Sequence, residues 1–312
     1  MTEDSIGIDV SKLWLDAHRL ATGESTRFAN TRDGHDRLLR WISETAVVRI
    51  VYEPAGRYHR EMERRLAGAD LPLVKVNPRH ARRFCEALGA RAKTDRADAA
   101  MLARMGGALG LEPRTEQTES LRDLNDLLAA RRALIKDRTA AKNRAKGLTL
   151  ALLRRQNAVR LRRIEADLAA IDGAVAALIS ADPDLAERHA ILRSIPGLGD
   201  VTAAALVALA PELGTLDQRQ IASLAGLVPI TRQSGAWRGR AFIRGGRALL
   251  RQALYMPALA AIQHNPDAKR LFQRLTAKGK PAKRALTAVM RKLIILANAL
   301  LRDQRFWSKS AA

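Results

Sequence analysis

Ser5-Ile6-Gly7-Ile8-Asp9-Val10 reads as a strand: Ile6, Ile8 and Val10 alternate onto one face, and a carboxylate, Asp9, sits near its far end. A charge inside an apolar pattern is costly unless it is used. Working outward, residues 14–20 and 24–29 continue as shorter strands around a turn at Thr22-Gly23. Leu38, Leu39, Trp41 and Ile42 recur at helical spacing over 34–45, and the β-branched run 47–51 predicts a buried strand ending at Tyr52-Glu53-Pro54. A helix over 58–67, a strand over 71–76 closed by Asn77-Pro78, and a further helix complete the order. Three strands followed by helix–strand alternation predict an α/β domain with a mixed sheet.

Beyond it, residues 114–182 contain no proline. Leu121, Leu124, Leu127, Leu128 and Leu134, then Ile164, Leu168, Ile171, Val175 and Leu178, mark two long helices, an antiparallel hairpin or coiled-coil spacer. Some thirty helical residues would extend about 45 Å. After Pro183 the chain reads as all-α. Ile195-Pro196-Gly197-Leu198-Gly199 ahead of a helix over 201–209 is a helix-hairpin-helix pattern, in which Gly197 and Gly199 let the backbone turn before amides that hold a phosphate. Three domains follow: an α/β domain over 1–112, a helical coiled-coil linker over 113–184, and an all-α domain over 185–312. Tyr255, within the apolar pattern Leu254, Met256, Leu259 and Ile262, reads as core.

The charge is unbalanced. In 312 residues, 54 Lys+Arg against 32 Asp+Glu leave a net +22, and the usual partner for such a surplus is nucleic acid. Residues 1–110 hold 19 basic and 15 acidic side chains, whereas residues 181–312 hold 21 and 8. Residues 131–163 carry twelve basic residues and one acid, Asp137. A solvated helix face is the bland reading of such a run; the near absence of acids favours a phosphate-tracking arm. Candidate contacts on that arm are Arg131, Arg132, Lys142, Arg144, Lys146, Arg154 and Arg155, and beyond it Arg238, Arg240, Arg244, Arg247 and Arg251. No apolar run reaches the ~18 residues a membrane span needs, and the N-terminus lacks the basic flank of a signal peptide. One cysteine, Cys85, excludes an internal disulfide framework, and the six histidines form no close helical pair for a metal. A cytoplasmic, nucleic-acid-facing protein without a membrane partner is expected.

Four carboxylates stand out. Asp9 and Glu53 follow strand patterns whose ends converge at one edge of such a sheet. Asp95 and Asp98, in Lys93-Thr94-Asp95-Arg96-Ala97-Asp98-Ala99, are three apart and share a helix face. Taken singly, Asp95 could be a helix N-terminal charge and Glu53 a loop carboxylate. Taken together, hard oxygen donors of this kind suit Mg²⁺, used where phosphates are displaced, or Mn²⁺ in its place.

Gly7-Ile8-Asp9-Val10-Ser11-Lys12, Tyr52-Glu53-Pro54 and the Lys93–Ala99 element together resemble the DEDD domain of the "one-ten" insertion-sequence transposase family, related to the Piv DNA invertases and described as bridge-RNA-guided recombinases. The resemblance runs through essentially the whole chain. It implies an RNase H-like, RuvC-like N-terminal domain, with Asp9, Glu53, Asp95 and Asp98 as its acidic tetrad. It also implies that Ser234, in Gln233-Ser234-Gly235, attacks the DNA strand to form a phosphoserine link. On residues alone, Ser-Gly in a loop is a turn. The implied partners are donor and target DNA, a noncoding bridge RNA and further copies of the chain in a homo-oligomer. Two other functions are open to the same residues. A hydrolytic junction endonuclease would need the acids but not Ser234, and a non-catalytic nucleic-acid-binding scaffold would need neither.

Overall fold

The computed structural model describes residues 4–43, 46–89, 94–113, 118–235 and 237–308, and contacts divide the chain into two units, Met1–Glu116 and Gln117–Ala312. In the first, β1 (Ser5–Val10), β2 (Trp14–Arg19) and β3 (Ser25–Ala29) form an antiparallel meander, followed by α1 (Arg32–Ser43), β4 (Arg49–Tyr52), α2 (Arg60–Ala67), β5 (Leu73–Lys75), α3 (Pro78–Ala87) and α4 (Asp95–Ala108). The sheet order is β3-β2-β1-β4-β5, with β4 and β5 parallel to β1.

Period-2 alternation divides the sheet's side chains between two faces. Ile6, Ile8 and Val10 pack with Leu38, Trp41 and Ile42 of α1 and with Met62 and Leu66 of α2. Val51 and Val74 point the other way, onto Leu102 and Met105 of α4. Near the sheet's other end, buried Arg19 pairs with Asp4 at 2.8 Å and donates to the Trp41 carbonyl at 2.7 Å, which satisfies a charge the core would otherwise reject.

α4 lies directly on β1 because the contact is made of small residues. A Cβ at Gly7 would stand 2.0 Å from the Ala99 carbonyl oxygen and 2.4 Å from the Ala103 amide nitrogen, and one at Gly106 would stand 2.6 Å from Ser5 Oγ. Ser5 thus faces Gly106 and Gly7 faces Ala99 and Ala103, so α4 descends as β1 rises and its first turn reaches the Asp9 end. Since the obstacle at Gly7 is backbone, Gly7→Ala is expected to cost about 1–3 kcal/mol. A lowered urea midpoint would register it, whereas an unchanged midpoint would refute the close approach.

The second unit begins with α5 (Glu119–Ala145) and α6 (Ala151–Ala181), an antiparallel hairpin whose register is fixed by Arg131–Asp172 at 2.6 Å and Arg138–Glu165 at 3.2 Å. Asn157, buried inside it, donates to the Ala141 carbonyl at 3.1 Å. The base of the hairpin is no detached spacer: Leu121, Leu124, Leu128, Val175 and Ile179 belong to the unit's main core. There follow α7 (Pro183–Arg193), α8 (Asp200–Leu209), α9 (Gln218–Leu224), the strands β6 (Pro229–Ile230), β7 (Gln233–Ser234), β8 (Trp237–Arg238) and β9 (Phe242–Ile243), then α10 (Ala248–Ala253), α11 (Tyr255–His264), α12 (Pro266–Ala277) and α13 (Ala282–Arg302). α13 contributes Val289, Leu293, Ile294 and Ala297 to the same core.

Two expectations are corrected here. The C-terminal region is not all-α: β6 pairs with β9 and β7 with β8, as two nested antiparallel ribbons. Pro229, Gly235 and Gly239 break helical propagation, and the β-formers Ile230, Trp237, Phe242 and Ile243 fall between them. Tyr255 is not core either. The chain bends at Leu254, between α10 and α11, leaving Tyr255 45% exposed while Leu254 is fully buried. Among the described residues, no helix is long and apolar enough to cross a membrane.

Candidate active site

The C-terminal ends of β1 and β4 and the first turn of α4 bring Asp9, Glu53, Asp95 and Asp98 to one end of the first unit. In the parallel pair, Ile8 stands beside Tyr52, so Glu53, the next residue along, comes beside Asp9. The rest of the approach follows from the seating of α4 on Gly7. Thr94 caps α4 by accepting from the Ala97 amide at 3.2 Å, which sets Asp95 and Asp98 in the opening turn, where the helix dipole favours anions. Lys93 of the same element lies outside the described residues.

The electrostatics register this crowding. Burial pushes the Asp9 carboxyl up to about 6, and Asp98, Asp95, Glu53 and Asp16 push it in the same direction. Desolvation is the largest cause, but four like charges within reach of one half-buried acid is the arrangement that marks functional carboxylates. Asp95 is the outermost, with 56% of its side chain exposed.

Two participants were not visible in the sequence. Asp16 of β2 is the direct cross-strand partner of Asp9, and Arg27 of β3 is the partner of Asp16. Arg27 grips Asp16 with two hydrogen bonds, at 2.9 and 3.0 Å, and reaches Asp95 at 3.3 Å. The row Arg27–Asp16–Asp9 thus crosses β3, β2 and β1, and Glu53 continues it one residue past the end of β4. Cys85 of α3 borders the same region: burial pushes its thiol up, and Asp98 and Glu53 add to that, which keeps it protonated and poorly nucleophilic. Among the described residues, no three His, Cys, Asp or Glu side chains converge to a ligand set for one ion. Arg27 bridges two of the carboxylates, Asp16 and Asp95.

Ser234 belongs to the other unit. It ends β7 opposite Trp237, at a hairpin tip where Gly235 takes φ +54°, and it is exposed. Of the arginines that follow it in sequence, Arg238, Arg240 and Arg244 are exposed and without an ion pair among the described residues. Arg247 is engaged instead: it grips Glu212 and donates to the Leu209 carbonyl at 2.7 Å. Arg251 donates to the Gly245 carbonyl at 2.8 Å.

Along the helical hairpin, Arg131 is committed to Asp172, Lys142 lies 3.7 Å from Glu165, and Arg154 closes the turn between the helices on the Leu148 carbonyl at 2.8 Å. Lys146, Arg144 and Arg155 are exposed near the tip, and Arg132 is half-buried. Between α7 and α8, Gly197 adopts φ +104°, and a Cβ there would meet the Ala261 backbone at 2.8 Å, so this glycine serves packing on α11. Gly199 is the exposed N-cap of α8. The helix then opens with Asp200, ion-paired to Arg193 at 2.9 Å, and that acid competes with a phosphate for the helix start.

Residues 6–153 match the DEDD transposase of IS110, described as a transposase, and residues 189–273 match the transposase IS116/IS110/IS902 family. The chain is 30% identical to the pilin gene-inverting protein of Moraxella bovis over 99% of both chains, and 29% identical to that of Moraxella lacunata over the same shares. It is also 33% identical, over 44% of its own length and 34% of the relative's, to the insertion element IS110 uncharacterized 43.6 kDa protein of Streptomyces coelicolor.

Proposed function

The chain belongs to the IS110/IS116/IS902 family of DEDD transposases and is a DNA-recombining enzyme, and on that premise we propose that it cuts and rejoins DNA with an acidic tetrad and a serine nucleophile. The observation that carries the proposal is the position of Asp9: a half-buried carboxylate at a strand end, held near pKa 6 among four further acids. The β3-β2-β1-β4-β5 order with an antiparallel β2 supports reading the first unit as RNase H-like and RuvC-like. The α7–α8 pair supports the helix-hairpin-helix reading of the second. We further propose a coiled-coil arm over 113–184, its base packed into the core of a transposase domain over 185–312.

Asp9, Glu53, Asp95 and Asp98 would hold Mg²⁺; their donor chemistry, hard anionic oxygens in mutual repulsion, fits a divalent cation. Once bound, such an ion neutralises charge on a scissile phosphate. Arg27 holds Asp16 and restrains Asp95, so β3 sets the posture of the acid row. Ser234 Oγ forms a bond to the scissile phosphorus as a bridging bond to deoxyribose breaks. Its proton is lost, and the released sugar oxygen takes one up. A serine ester conserves the phosphodiester energy, and attack by a sugar hydroxyl then rejoins the strand.

Exposed cations on the arm and around the ribbons supply sequence-independent phosphate contacts. A noncoding bridge RNA pairing with donor and target DNA would then supply sequence recognition, consistent with only 4% aromatic residues for stacking on bases. A homo-oligomer would let the acids of one copy and the serine of another act on one phosphate.

Asp98→Asn tests the acid row. Strand scission in Mg²⁺ is expected to fall roughly 10²–10³-fold, with duplex binding changed less than about twofold, because affinity comes from the basic surfaces. Full cleavage by this variant, or by the parent chain in a chelator, would sink the metal-site reading.

A further inference from the structure

In the second unit the β6–β9 ribbon and helices α12 and α13 enclose a cleft of about 920 Å³, within the roughly 300–1,000 Å³ range of small-ligand pockets. Its chemistry is divided. Arg240, Lys280, Arg284 and Arg291 line it, and no acidic side chain does. None of the four is in an ion pair among the described residues. Arg284 and Arg291 stand seven residues apart on α13, with Thr287 and Ala288 between them on the same wall.

The rest of the lining is apolar, including Leu227, Leu275 and the ring of Phe242. The Arg232 guanidinium lies 5.1 Å from that ring's centroid, which adds a fifth cation beside the cleft. An apolar slot walled by an aromatic ring and flanked by four unneutralised cations matches one ligand class closely: a planar apolar base joined to a phosphate. A duplex buries its bases in the stack and cannot present that pair of features together.

The geometry points to this cleft as a binding site for an unpaired nucleotide of a single strand, its base against Phe242 and the aliphatic wall and its phosphates on Arg284, Arg291, Lys280 and Arg240. Breaking and exchanging strands exposes such nucleotides, and β7, with Ser234 at its end, leads out of the same ribbon. The site would hold a strand end after it leaves its duplex.

This inference rests on the second unit being a nucleic-acid-binding body. It is tested by equilibrium binding in a chelator, so that no cleavage enters the result. Fluorescein-labelled oligo(dT), oligo(U) of equal length, a mixed-sequence duplex and heparin are titrated against the full chain, an R284Q/R291Q double variant and a Phe242→Leu variant.

For the double variant, single-strand affinity is expected to fall about tenfold, and the salt slope to shrink by about 1.4, the value for two phosphate contacts on a single strand. Phe242→Leu, which keeps an apolar residue in the ribbon, is expected to lose about fivefold or more with the slope unchanged, the signature of lost stacking. Duplex and heparin binding are expected to change less than about twofold. A loss on oligo(dT), oligo(U) or both supports the site and identifies which strand it takes. Parallel losses on duplex and heparin, or no loss on either single strand, would overturn it. A parent chain that binds neither single strand nor duplex would overturn the nucleic-acid reading of the unit as well. Unaltered thermal melting of Phe242→Leu separates its effect from misfolding.

Discussion

Ser234→Ala is expected to bind DNA as the parent chain does and to accumulate no covalent protein–DNA adduct, a loss below detection rather than a partial one. The physical case has two halves. Structurally the hydroxyl is dispensable: Ser234 is exposed at a hairpin tip, its ladder partner Trp237 pairs through backbone, and Gly235 rather than the serine takes the positive φ. Exposed substitutions of this kind change stability by no more than about 0.5 kcal/mol. Chemically nothing replaces it, because without Oγ no ester can form and a cut strand would lose its bond energy to water. Denaturing electrophoresis of a labelled DNA incubated with each protein reads the difference. An adduct at parental level in Ser234→Ala would remove the serine from the reaction. Cleavage without any adduct in the parent chain would favour the hydrolytic endonuclease instead.

How far the sequence carries to such a site depends on the range over which each interaction is encoded. β1 was legible because alternation at Ile6, Ile8 and Val10 is local, and so was the long hairpin, whose leucines repeat along single helices. The convergence of Asp9 with Glu53 was readable from strand ends. Asp16 was not, since its place beside Asp9 depends on the register of the β1–β2 turn. That register is set by Ser11, whose hydroxyl accepts from the Trp14 amide at 3.0 Å and donates to the Trp14 carbonyl at 2.9 Å. Ribbons of two-residue strands are too short to show a period, so β6 to β9 are lost in an otherwise helical pattern. Basic runs likewise do not show which of their side chains are paired. Arg131 looks available until Asp172, 41 residues away, closes on it, and Arg247 until Glu212 does. Side-chain neutralisation across the fold is a tertiary property, invisible to charge counting.

Asp9→Asn is expected to do two opposed things: abolish strand scission and make the protein more stable at neutral pH. The sign follows from the raised carboxyl. Asp9 titrates near 6 in the folded chain against 3.8 in its ordinary state, so between those values the folded state binds more protons than the unfolded one, and stability falls as pH rises through the window. Above pH 6 the full penalty of a repelled charge is present; below about pH 4 it is gone. At ~1.36 kcal/mol per pH unit the penalty is at most about 3 kcal/mol, and screening at a half-buried site reduces it to about 1–2 kcal/mol. Asparagine removes it. In a chelator, the variant's melting temperature is therefore expected to exceed the parent's by several degrees at pH 7.5, with the gap closing by pH 4. Added Mg²⁺ is expected to stabilise the parent and leave the variant unmoved, because an ion that binds only the folded acids raises stability by mass action. A variant less stable than the parent, by the same margin at both pH values, would mean that Asp9 is held by favourable contacts rather than kept under repulsion. The acid row would then be structural, and a chain with a structural acid row has no reason to lose scission when one of its carboxylates is neutralised.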